Sequence, residues 1–546
     1  MAISKFKSNF ILLYLTITAL SFCPCTKSEE WRTYTGENNN LLHPNWGVVD
    51  TPFIRLAKPV QFNAYGYPNI TNRPTSREVS NMIFDQQSFI NSKEHYSDMM
   101  NMWGQFVIHN MALSKVDADR AWPIAVPTCD PYFDPFCNGN LTMAYSRTRI
   151  QEIYCEDPTT KTVKDENGKC YEQLNRLSAY MDANVLYGSS DNTCNCLRLH
   201  KGGEMKMSYH ENGDLPPRDV PGISMDNDAR LVAPTELFCV GEGRGNENTG
   251  LLTIHTVLLR EHNRLARKFA SSHPDWDEET LFQHSRSCII EQIQHITYTE
   301  YLTALLGSFP EYTGYNPNVH IQVSNEFTTT AFRFGHSEVG PNIEYIAENG
   351  TRLKPLPIKS SYFNPKALDN GIDDILRGLI LNEEQNVDIF MIGDLRNFLF
   401  GRPGQGGLDL ASRNLNRNRE HGIPSYNSLR RQIGLRPVKV WSDISSNPMI
   451  QDRLKNTYKS VDDIDAYVGG LAEDHIEGAG VGQTFYVIIS EQFLRTRTGD
   501  RFWYERPAMK LLNRECETST FSEVIKRNTK VRDIPDNIFF AKPQPV

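Results

Sequence analysis

The sequence has few long apolar runs and no long basic run. The apolar run of residues 10–22 is too short for a bilayer span, which requires about 18 to 20 residues, and no later stretch is long and apolar enough. No run of five basic residues occurs, and the net charge of -9 at pH 7 argues against a surface that follows nucleic-acid phosphates. We therefore expect neither a membrane span nor a nucleic-acid partner.

The chain also lacks the short motifs of common metal, redox and adhesion sites. It contains no HExxH segment and no paired Cys/His spacing, which excludes a zinc or di-metal hydrolase of the usual kinds. Cys194 and Cys196 are separated by one residue and therefore form no CxxC redox motif. No Arg-Gly-Asp or Lys-Gly-Asp tripeptide occurs, although Thr498-Gly-Asp500 comes near that pattern.

What is present is the composition of an ordinary soluble globular protein, with 39% hydrophobic and 23% charged residues among 546. Apolar residues follow helical spacing over 251–267 and 279–306, whereas strand alternation is rare and short. Residues 31–80 are rich in Asn, Pro and Gly and predict an extended, loop-rich arm. His262 and His295 are expected to be hydrogen-bonded core residues. Without a repeat or a long linker, one large, mainly α-helical domain is the simplest prediction.

The N-terminus has the pattern of a secretory signal peptide. Lys5 and Lys7 precede the apolar run of residues 10–22, and a polar flank follows it. We expect residues 1–27 to be removed and residues 28–546 to form the domain with its extended arm. The product is then secreted and extracellular, and sequons at Asn69, Asn140 and Asn349 fit that compartment.

Secretion favours disulfides over free thiols. Nine of the eleven cysteines follow the signal peptide, and the first six of these lie within 68 residues, which predicts a local disulfide-stapled region. An odd total implies at least one thiol outside an intramolecular disulfide, and the pairing stays open. The nine are Cys129, Cys137, Cys155, Cys170, Cys194, Cys196, Cys239, Cys288 and Cys516.

The segment from Trp103 to Asn110 reads Trp-Gly-Gln-Phe-Val-Ile-His-Asn. On a helix, Gln105 and His109 lie one turn apart on the same face. A lone histidine on an apolar helix is more often a core residue than a functional one. The order of residues, however, resembles the distal-histidine segment of the animal haem peroxidases, which is Trp-Gly-Gln-x-x-Asp-His-Asp. Ile108 and Asn110 replace the two aspartates of that pattern.

The resemblance extends from about residue 31 to beyond residue 505. It implies the mainly α, large single-domain animal haem peroxidase fold, with haem between a distal helix and a proximal helix. It also implies an enzyme that reduces hydrogen peroxide and oxidises small donors such as phenols, tyrosyl groups or a halide. The alternative is a catalytically weak adhesion or matrix protein on a peroxidase scaffold. The sequence leaves the oligomeric state open.

The segment Thr330-Ala-Phe-Arg-Phe-Gly-His336 is similar to the proximal segment of the family. The resemblance implies that His336 ligates the haem iron and that Arg333 pairs with a haem propionate. Asn414 stands at the position of the asparagine that accepts a hydrogen bond from the ligand histidine. A ligating histidine needs such a partner on its other ring nitrogen.

The distal residues implied by the resemblance are His109, Arg244 and Gln105. His109 would move the peroxide proton. Arg244, in Gly241-Glu-Gly-Arg-Gly-Asn-Glu247, would supply a permanent positive charge, and Gln105 would hydrogen-bond distal water or a small anion. Read alone, Arg244 could equally be a surface residue in a Gly-rich turn.

The departures from the family pattern predict weaker covalent attachment of the haem. In the family the haem is commonly esterified to the aspartate that stands before the distal histidine and to the glutamate of the arginine segment. Ile108 cannot form an ester, whereas Glu247 can. Asn248 replaces the methionine that forms a sulfonium link in some members. We therefore expect haem b with at most one ester, through Glu247.

A calcium site is implied by the segment from Leu177 to Gly188. Ser178 and Asp182 match side-chain ligands of the family, and Tyr180 matches a ligand through its carbonyl. Asn184 replaces a frequent serine, and Asn110 replaces an aspartate ligand. Calcium affinity follows the number of carboxylates, so we expect calcium binding to be weak or absent.

Overall fold

Helices dominate the computed structural model, as the sequence predicted. The described residues are 30–63, 67–68, 70, 73–155, 160–165, 167–507 and 514–541. The predicted signal peptide and the sequon at Asn69 lie outside them. Residues Arg32–Val546 form one compact unit.

The α-helices, numbered in chain order, are α1 (Ser76–Ile83), α2 (Asp98–Met111), α3 (Asn184–Tyr187), α4 (Asp191–Leu197), α5 (Thr249–Ser272), α6 (Glu278–Ile296), α7 (Leu302–Leu306), α8 (Asn325–Thr329), α9 (Ile358–Ser361), α10 (Asp373–Leu381), α11 (Gly393–Asn397), α12 (Leu410–Glu420), α13 (Tyr426–Gln432), α14 (Pro448–Thr457), α15 (Ala466–Ala472), α16 (Gln483–Thr498), α17 (Arg514–Thr518) and α18 (Phe521–Asn528). Short 3-10 helices span Pro234–Glu236, Gly243–Asn246, Ala331–His336, Pro365–Leu368 and Trp441–Asp443.

The strands are short and all described pairs are antiparallel. The strands are β1 (Thr51–Pro52), β2 (Val116–Ala121), β3 (Ile124–Ala125), β4 (Thr142–Met143), β5 (Ser146–Thr148), β6 (Ile150–Ile153), β7 (Cys170–Asn175), β8 (Asn342–Ile343) and β9 (Leu356–Pro357). One sheet has the order β1-β7-β6, and the remaining pairs are β2-β5, β3-β4 and β8-β9.

The predicted helix over 251–267 is confirmed by α5, which begins at an Asn248 cap and runs further. The predicted helix over 279–306 is interrupted, because a π-helical turn at Thr297–Tyr301 separates α6 from α7. Such turns insert a residue into the helical repeat and often mark functional positions. Here the turn places Thr297 beside α2, where its hydroxyl accepts from the indole N–H of Trp103 at 3.2 Å.

Helix α2 is central to the fold. Trp103, Phe106 and Met99 are fully buried, and the helix packs against α5, α10 and the 3-10 helix Ala331–His336. Because α2 packs against several other helices, its backbone is held in place and its side chains keep fixed positions. Any polar residue on this helix therefore lies in the interior.

The N-terminal arm is tied down by buried polar contacts. Arg32 pairs with Asp500 at 2.7 Å, and Asn39 donates to the same carboxylate at 2.9 Å. Further along, Glu326 accepts from the backbone N–H of Leu56 at 2.9 Å. Through these contacts the N-terminal segment lies against residues far along the chain.

Three disulfides are present among the described residues: Cys129–Cys137, Cys155–Cys170 and Cys288–Cys516. Two of them lie in the predicted stapled region. Cys194, Cys196 and Cys239 are free thiols, in agreement with the odd total.

His262 is a core residue, as expected, whereas His295 is half-buried. His262 is fully buried between the Tyr187 hydroxyl at 2.8 Å and the Gly203 carbonyl at 2.9 Å. His295 lies 3.3 Å from the Tyr504 hydroxyl. In the part of the chain that the structure describes, we find no helix with both the length and the apolarity of a membrane span.

Candidate active site

One deep cavity lies between α2, α12 and the 3-10 helix Ala331–His336. His109 of α2 and His336 of the 3-10 helix both line it, although 226 positions of sequence separate them. Gln105 and Arg244 line the same cavity. The structure therefore brings together residues that the sequence offered in three separate segments.

The other residues expected around the haem also line this cavity. They are Arg333, Asn414 and Glu247, together with Ile108 and Asn248. Ile108 and Asn248 cannot form the two other covalent links to haem that occur in the family. Both line the same cavity as Glu247.

His336 ends a 3-10 helix that buried Phe332 and Phe334 anchor in the core. Its Nδ1 lies 2.7 Å from Nδ2 of Asn414, so the ring is held from its Nδ1 side. Burial, and secondly the charge of Arg333, lowers the pKa of His336 to about 3. The ring is therefore neutral near pH 7, as metal ligation requires.

The amide of Asn414 is shared among three partners, Arg333, His336 and Tyr467. Its oxygen accepts from the guanidinium of Arg333 at 2.8 Å, and its nitrogen faces His336. The sequence led us to expect the opposite direction, with the amide accepting from His336. With the amide in this orientation a neutral His336 carries its proton on Nε2, so Nε2 becomes a ligand only if the amide turns and its oxygen accepts from Nδ1. Tyr467 closes the group, because its hydroxyl donates to the Arg333 carbonyl at 3.1 Å.

His109 lies in the last turn of α2, one turn after Gln105, and is only 5% exposed. Burial first, and then the charge of Arg244, holds the pKa of His109 well below its ordinary value. Its Nε2 lies 3.5 Å from a carboxylate oxygen of Glu247, and its buried Nδ1 has no hydrogen-bond partner among the described residues. A neutral imidazole with unused acceptor capacity can take up a proton.

Arg244 is held by Glu242, a residue that the sequence analysis did not single out. The Arg244 Nε lies 2.8 Å from one Glu242 oxygen, and its backbone N–H donates to the other oxygen at 3.0 Å. The guanidinium also donates to the carbonyls of Ala112 at 3.2 Å and His109 at 3.4 Å. These contacts tie the 3-10 helix Gly243–Asn246 to the end of α2.

Asn248 connects the distal helix to α5. Its side-chain oxygen caps α5 by accepting from the Leu251 N–H at 2.8 Å, and its nitrogen donates to the Gln105 oxygen at 2.7 Å. The amide nitrogen of Gln105 then remains available on the cavity side. Glu247, the preceding residue, has its pKa raised to about 7, chiefly by burial.

The residues of the cavity fit a haem. The group requires an axial nitrogen, cations for its propionates and an enclosed pocket. His336 offers an imidazole ring, Arg333 and Arg413 offer positive charge, and Phe332 contributes an aromatic wall. These residues would hold the group in the cavity that His109 also lines.

A sequence profile of the family described as animal haem peroxidase matches residues 31–539. The chain belongs to the animal haem peroxidase family. It is therefore a haem-dependent peroxidase, which uses hydrogen peroxide and a reducing substrate. The predictions of family, fold and enzyme class are confirmed.

Several relatives are similar over the peroxidase domain. Peroxinectin A of Dictyostelium discoideum is 66% identical over 535 residues, 98% of each chain. A human peroxidasin homologue is 31% identical over 520 residues, which cover 88% of this chain and 35% of that protein. The solved structure of peroxidase A from Dictyostelium discoideum has 68% identity and a TM-score of 0.92, and covers 94% of this chain and 100% of that chain. A fatty acid alpha-dioxygenase of Arabidopsis thaliana, at 18% identity and a TM-score of 0.75, shares the fold alone.

The residues of the family's calcium segment meet at the C-terminal end of α2. Asn110 donates to the Tyr180 carbonyl at 3.0 Å. Asp182 accepts from the Ser178 hydroxyl and, at 3.0 Å, from the Asn184 amide. The Tyr180 carbonyl and the Asp182 carboxylate are thus engaged by hydrogen bonds within the group.

The donor set of this group is poor in negative charge. Asp182 is its one carboxylate, and burial raises the pKa of Asp182 to about 6. The side-chain oxygens of Asn110 and Asn184 are buried without a donor, but both are neutral. No cluster of three or more His, Cys, Asp or Glu side chains suited to a metal occurs in the described ranges. Calcium prefers several charged oxygens.

Sequence reasoning missed Glu242 and the pairing role of Asn248. A signal for Glu242 was present, because this residue stands two positions before Arg244 in the segment from Gly241 to Glu247. For Asn248 the signal was its place before a helical pattern, where asparagine is a favoured cap.

Proposed function

We propose that this peroxidase binds haem b through His336 and reduces hydrogen peroxide in the part of the cavity lined by His109 and Arg244. Haem, when bound, supplies the redox-active iron at which the peroxide O–O bond is cleaved. The small donors are phenols, tyrosyl groups or a halide. The observation that carries the proposal is the shared cavity, with His109 and His336 lining it and Arg244 held by Glu242.

His109 takes a proton from hydrogen peroxide and returns it to the leaving oxygen, which departs as water. The ring is suited to this role because it is buried and neutral and has unused acceptor capacity. Gln105, whose oxygen is engaged by Asn248, presents its amide N–H groups to water or a small anion.

Arg244 stabilises the negative charge that develops on the departing oxygen. A guanidinium does this without giving up a proton. Its backbone and side-chain contacts to Glu242 hold it in place before the reaction begins.

We propose that the haem carries at most one ester, formed through Glu247. Glu247 lines the cavity and lies 3.5 Å from His109. Ile108 and Asn248 line it too, and neither side chain can form the corresponding link.

We propose that the calcium segment works mainly without an ion. The hydrogen bond from Asn110 to the Tyr180 carbonyl joins the end of α2 to the loop before α3. It therefore performs the anchoring that an ion would provide.

We propose that the protein is secreted and extracellular. The apolar run of residues 10–22 and the three disulfides support this. Asn140 and Asn349 are exposed, as glycosylation requires.

The second candidate is a catalytically weak adhesion or matrix protein on this scaffold. The loss of an ester residue at Ile108 favours it. The retained arrangement of His109, Arg244 and His336 favours turnover.

Replacing His109 by Ala should slow the reaction with hydrogen peroxide by about 10²- to 10⁴-fold, because proton transfer is lost. Haem absorbance after rapid mixing with peroxide measures the rate. The control is His295→Ala, a half-buried histidine outside the cavity. An unchanged rate in a haem-loaded His109→Ala variant would contradict the role of His109. Absence of haem from the wild type would favour the scaffold candidate.

After turnover with peroxide, acidified acetone should leave haem attached to the wild type. It should release haem from Glu247→Gln, because an amide cannot form the ester. Ile108→Asp is the matched gain-of-carboxylate variant and should acquire a second attachment, which mass spectrometry of haem peptides would detect. Haem that resists extraction from Glu247→Gln would overturn the assignment.

Chelation should leave the Tm of the wild type unchanged. In Asn110→Asp, a second carboxylate faces Asp182, so the Tm should fall without calcium and rise when calcium is added. At about 100 times its Kd, calcium would add about 2.7 kcal/mol to the stability of that variant. Asn184→Asp is the second test. A wild-type Tm that drops in chelator would show that an ion is already bound.

When expressed with its full N-terminus, the protein should appear in the medium, with a mature chain that starts near residue 28. Leu12→Arg combined with Leu13→Arg should keep it inside the cell, because charge disrupts the apolar region of a signal peptide. N-terminal sequencing of the medium fraction tests this. Equal export of the variant would refute the signal-peptide assignment.

A further inference from the structure

Three aromatic rings lead outward from the cavity. Tyr145 lines the cavity. Its ring centroid lies 6.4 Å from that of Trp122, and Trp122 lies 5.7 Å from Tyr67. Tyr145 is buried, whereas Trp122 and Tyr67 are half-buried. The three rings thus form a continuous path from the cavity to the surface, and nothing in the mechanism above uses it.

Strand pairing holds the inner two rings together. The Trp122 N–H donates to the Tyr145 carbonyl at 2.9 Å, next to the antiparallel pairs β2-β5 and β3-β4. Tyr145 also packs with Ile124 and Met143 in a small apolar cluster against which Trp122 rests. The spacing between the two rings is therefore set by backbone hydrogen bonds.

The Tyr145 hydroxyl has a carboxylate beside it that can accept its proton. Its hydroxyl donates to a carboxylate oxygen of buried Glu420 at 2.6 Å. The same carboxylate accepts from the Thr148 backbone N–H, the Thr148 hydroxyl and Arg417. This network fixes the phenol and the carboxylate in one geometry.

The charges around the rings favour proton-coupled oxidation. The Arg417 guanidinium lies 4.8 Å from the centre of the Tyr145 ring, and that of Arg147 lies 4.1 Å from the centre of the Tyr67 ring. A cation over a ring opposes positive charge on it, so each tyrosine must lose its proton together with an electron. Burial raises the pKa of Tyr145 well above its ordinary value, so the phenol holds its proton until it is oxidised.

We propose that Tyr145, Trp122 and Tyr67 form an electron relay through which the enzyme oxidises phenolic groups on macromolecules too large to enter the cavity. The proposal rests on the peroxidase function proposed above, which supplies the oxidising equivalents. The substrate class is surface tyrosyl or other phenolic groups on extracellular polymers or proteins.

The steps balance as one-electron transfers. Tyr145 gives an electron to the oxidised site and its hydroxyl proton to Glu420. Trp122 then gives an electron to the Tyr145 radical, which takes its proton back from Glu420. Tyr67 reduces the Trp122 cation radical and releases its own proton to water. Tyr67 finally recovers an electron and a proton from the donor phenol, and two such passages consume one hydrogen peroxide.

The test compares free tyramine with tyramine coupled to a large dextran, in buffer without halide. Trp122→Phe removes the readily oxidised indole and leaves Tyr145 and Glu420 in place. We expect it to lower the rate with dextran-bound tyramine at least tenfold and to leave the rate with free tyramine within twofold of wild type. Trp276→Phe, another half-buried tryptophan, is the matched control and should change neither rate. Tyr67→Phe should also slow the bound donor.

A second readout does not depend on turnover of a donor. Electron paramagnetic resonance of the peroxide-treated enzyme, frozen without donor, should show a protein radical with a tryptophan component. That component should be absent from Trp122→Phe and present in Trp276→Phe.

The outcomes are distinct. Equal rates of wild type and Trp122→Phe with dextran-bound tyramine would overturn the relay. Oxidation of free tyramine but not of the bound form by the wild type would also overturn the relay, while the proposed small-donor activity would stand. If the wild type oxidises neither form, both proposals fall.

Discussion

The contact between Glu242 and Arg244 is the interaction on which the distal side of the cavity depends. A guanidinium beside a neutral, buried His109 would be costly without a carboxylate, because an unpaired charge loses its hydration. Glu242 binds both the side chain and the backbone of Arg244. Arg244 in turn donates to carbonyls at the end of α2. The same pairing thus balances charge, fixes the cation and holds the segment against the helix that carries His109.

Three departures from the family pattern have a common physical character. Ile108, Asn110 and Asn248 are all neutral, where the family has carboxylates or a methionine that can bond to haem. Two of them make hydrogen bonds that join α2 to neighbouring segments, Asn110 to the Tyr180 carbonyl and Asn248 to Gln105. These hydrogen bonds contribute about 1 kcal/mol each, and they stand where the family uses an ion or a covalent bond. The chain retains the residues that we propose act on peroxide and changes those that would attach the haem or bind an ion.

The sequence predicted elements and segments better than it predicted contacts. Helical spacing identified α5, and the resemblance pointed to His109, Arg244 and His336 by their local wording. The sequence could not show the π-helical turn inside the predicted helix over 279–306, because a single inserted residue leaves the spacing of apolar residues almost intact. Nor could it give the orientation of the Asn414 amide, which depends on Arg333, 81 positions away. Such facts arise from tertiary packing and leave no local trace.

The strands β2 to β5 also show that a sequence does not reveal tertiary contacts. Their sequence is rich in proline and glycine and carried no functional signal, yet pairing places Trp122 against Tyr145 at the cavity wall. Burial keeps His109 neutral, and the same burial restricts the size of a donor that can approach it. Aromatic rings in contact remove that restriction, because an electron crosses the wall where a polymer cannot. The enclosed pocket that suits peroxide reduction is therefore compatible with oxidation at the surface.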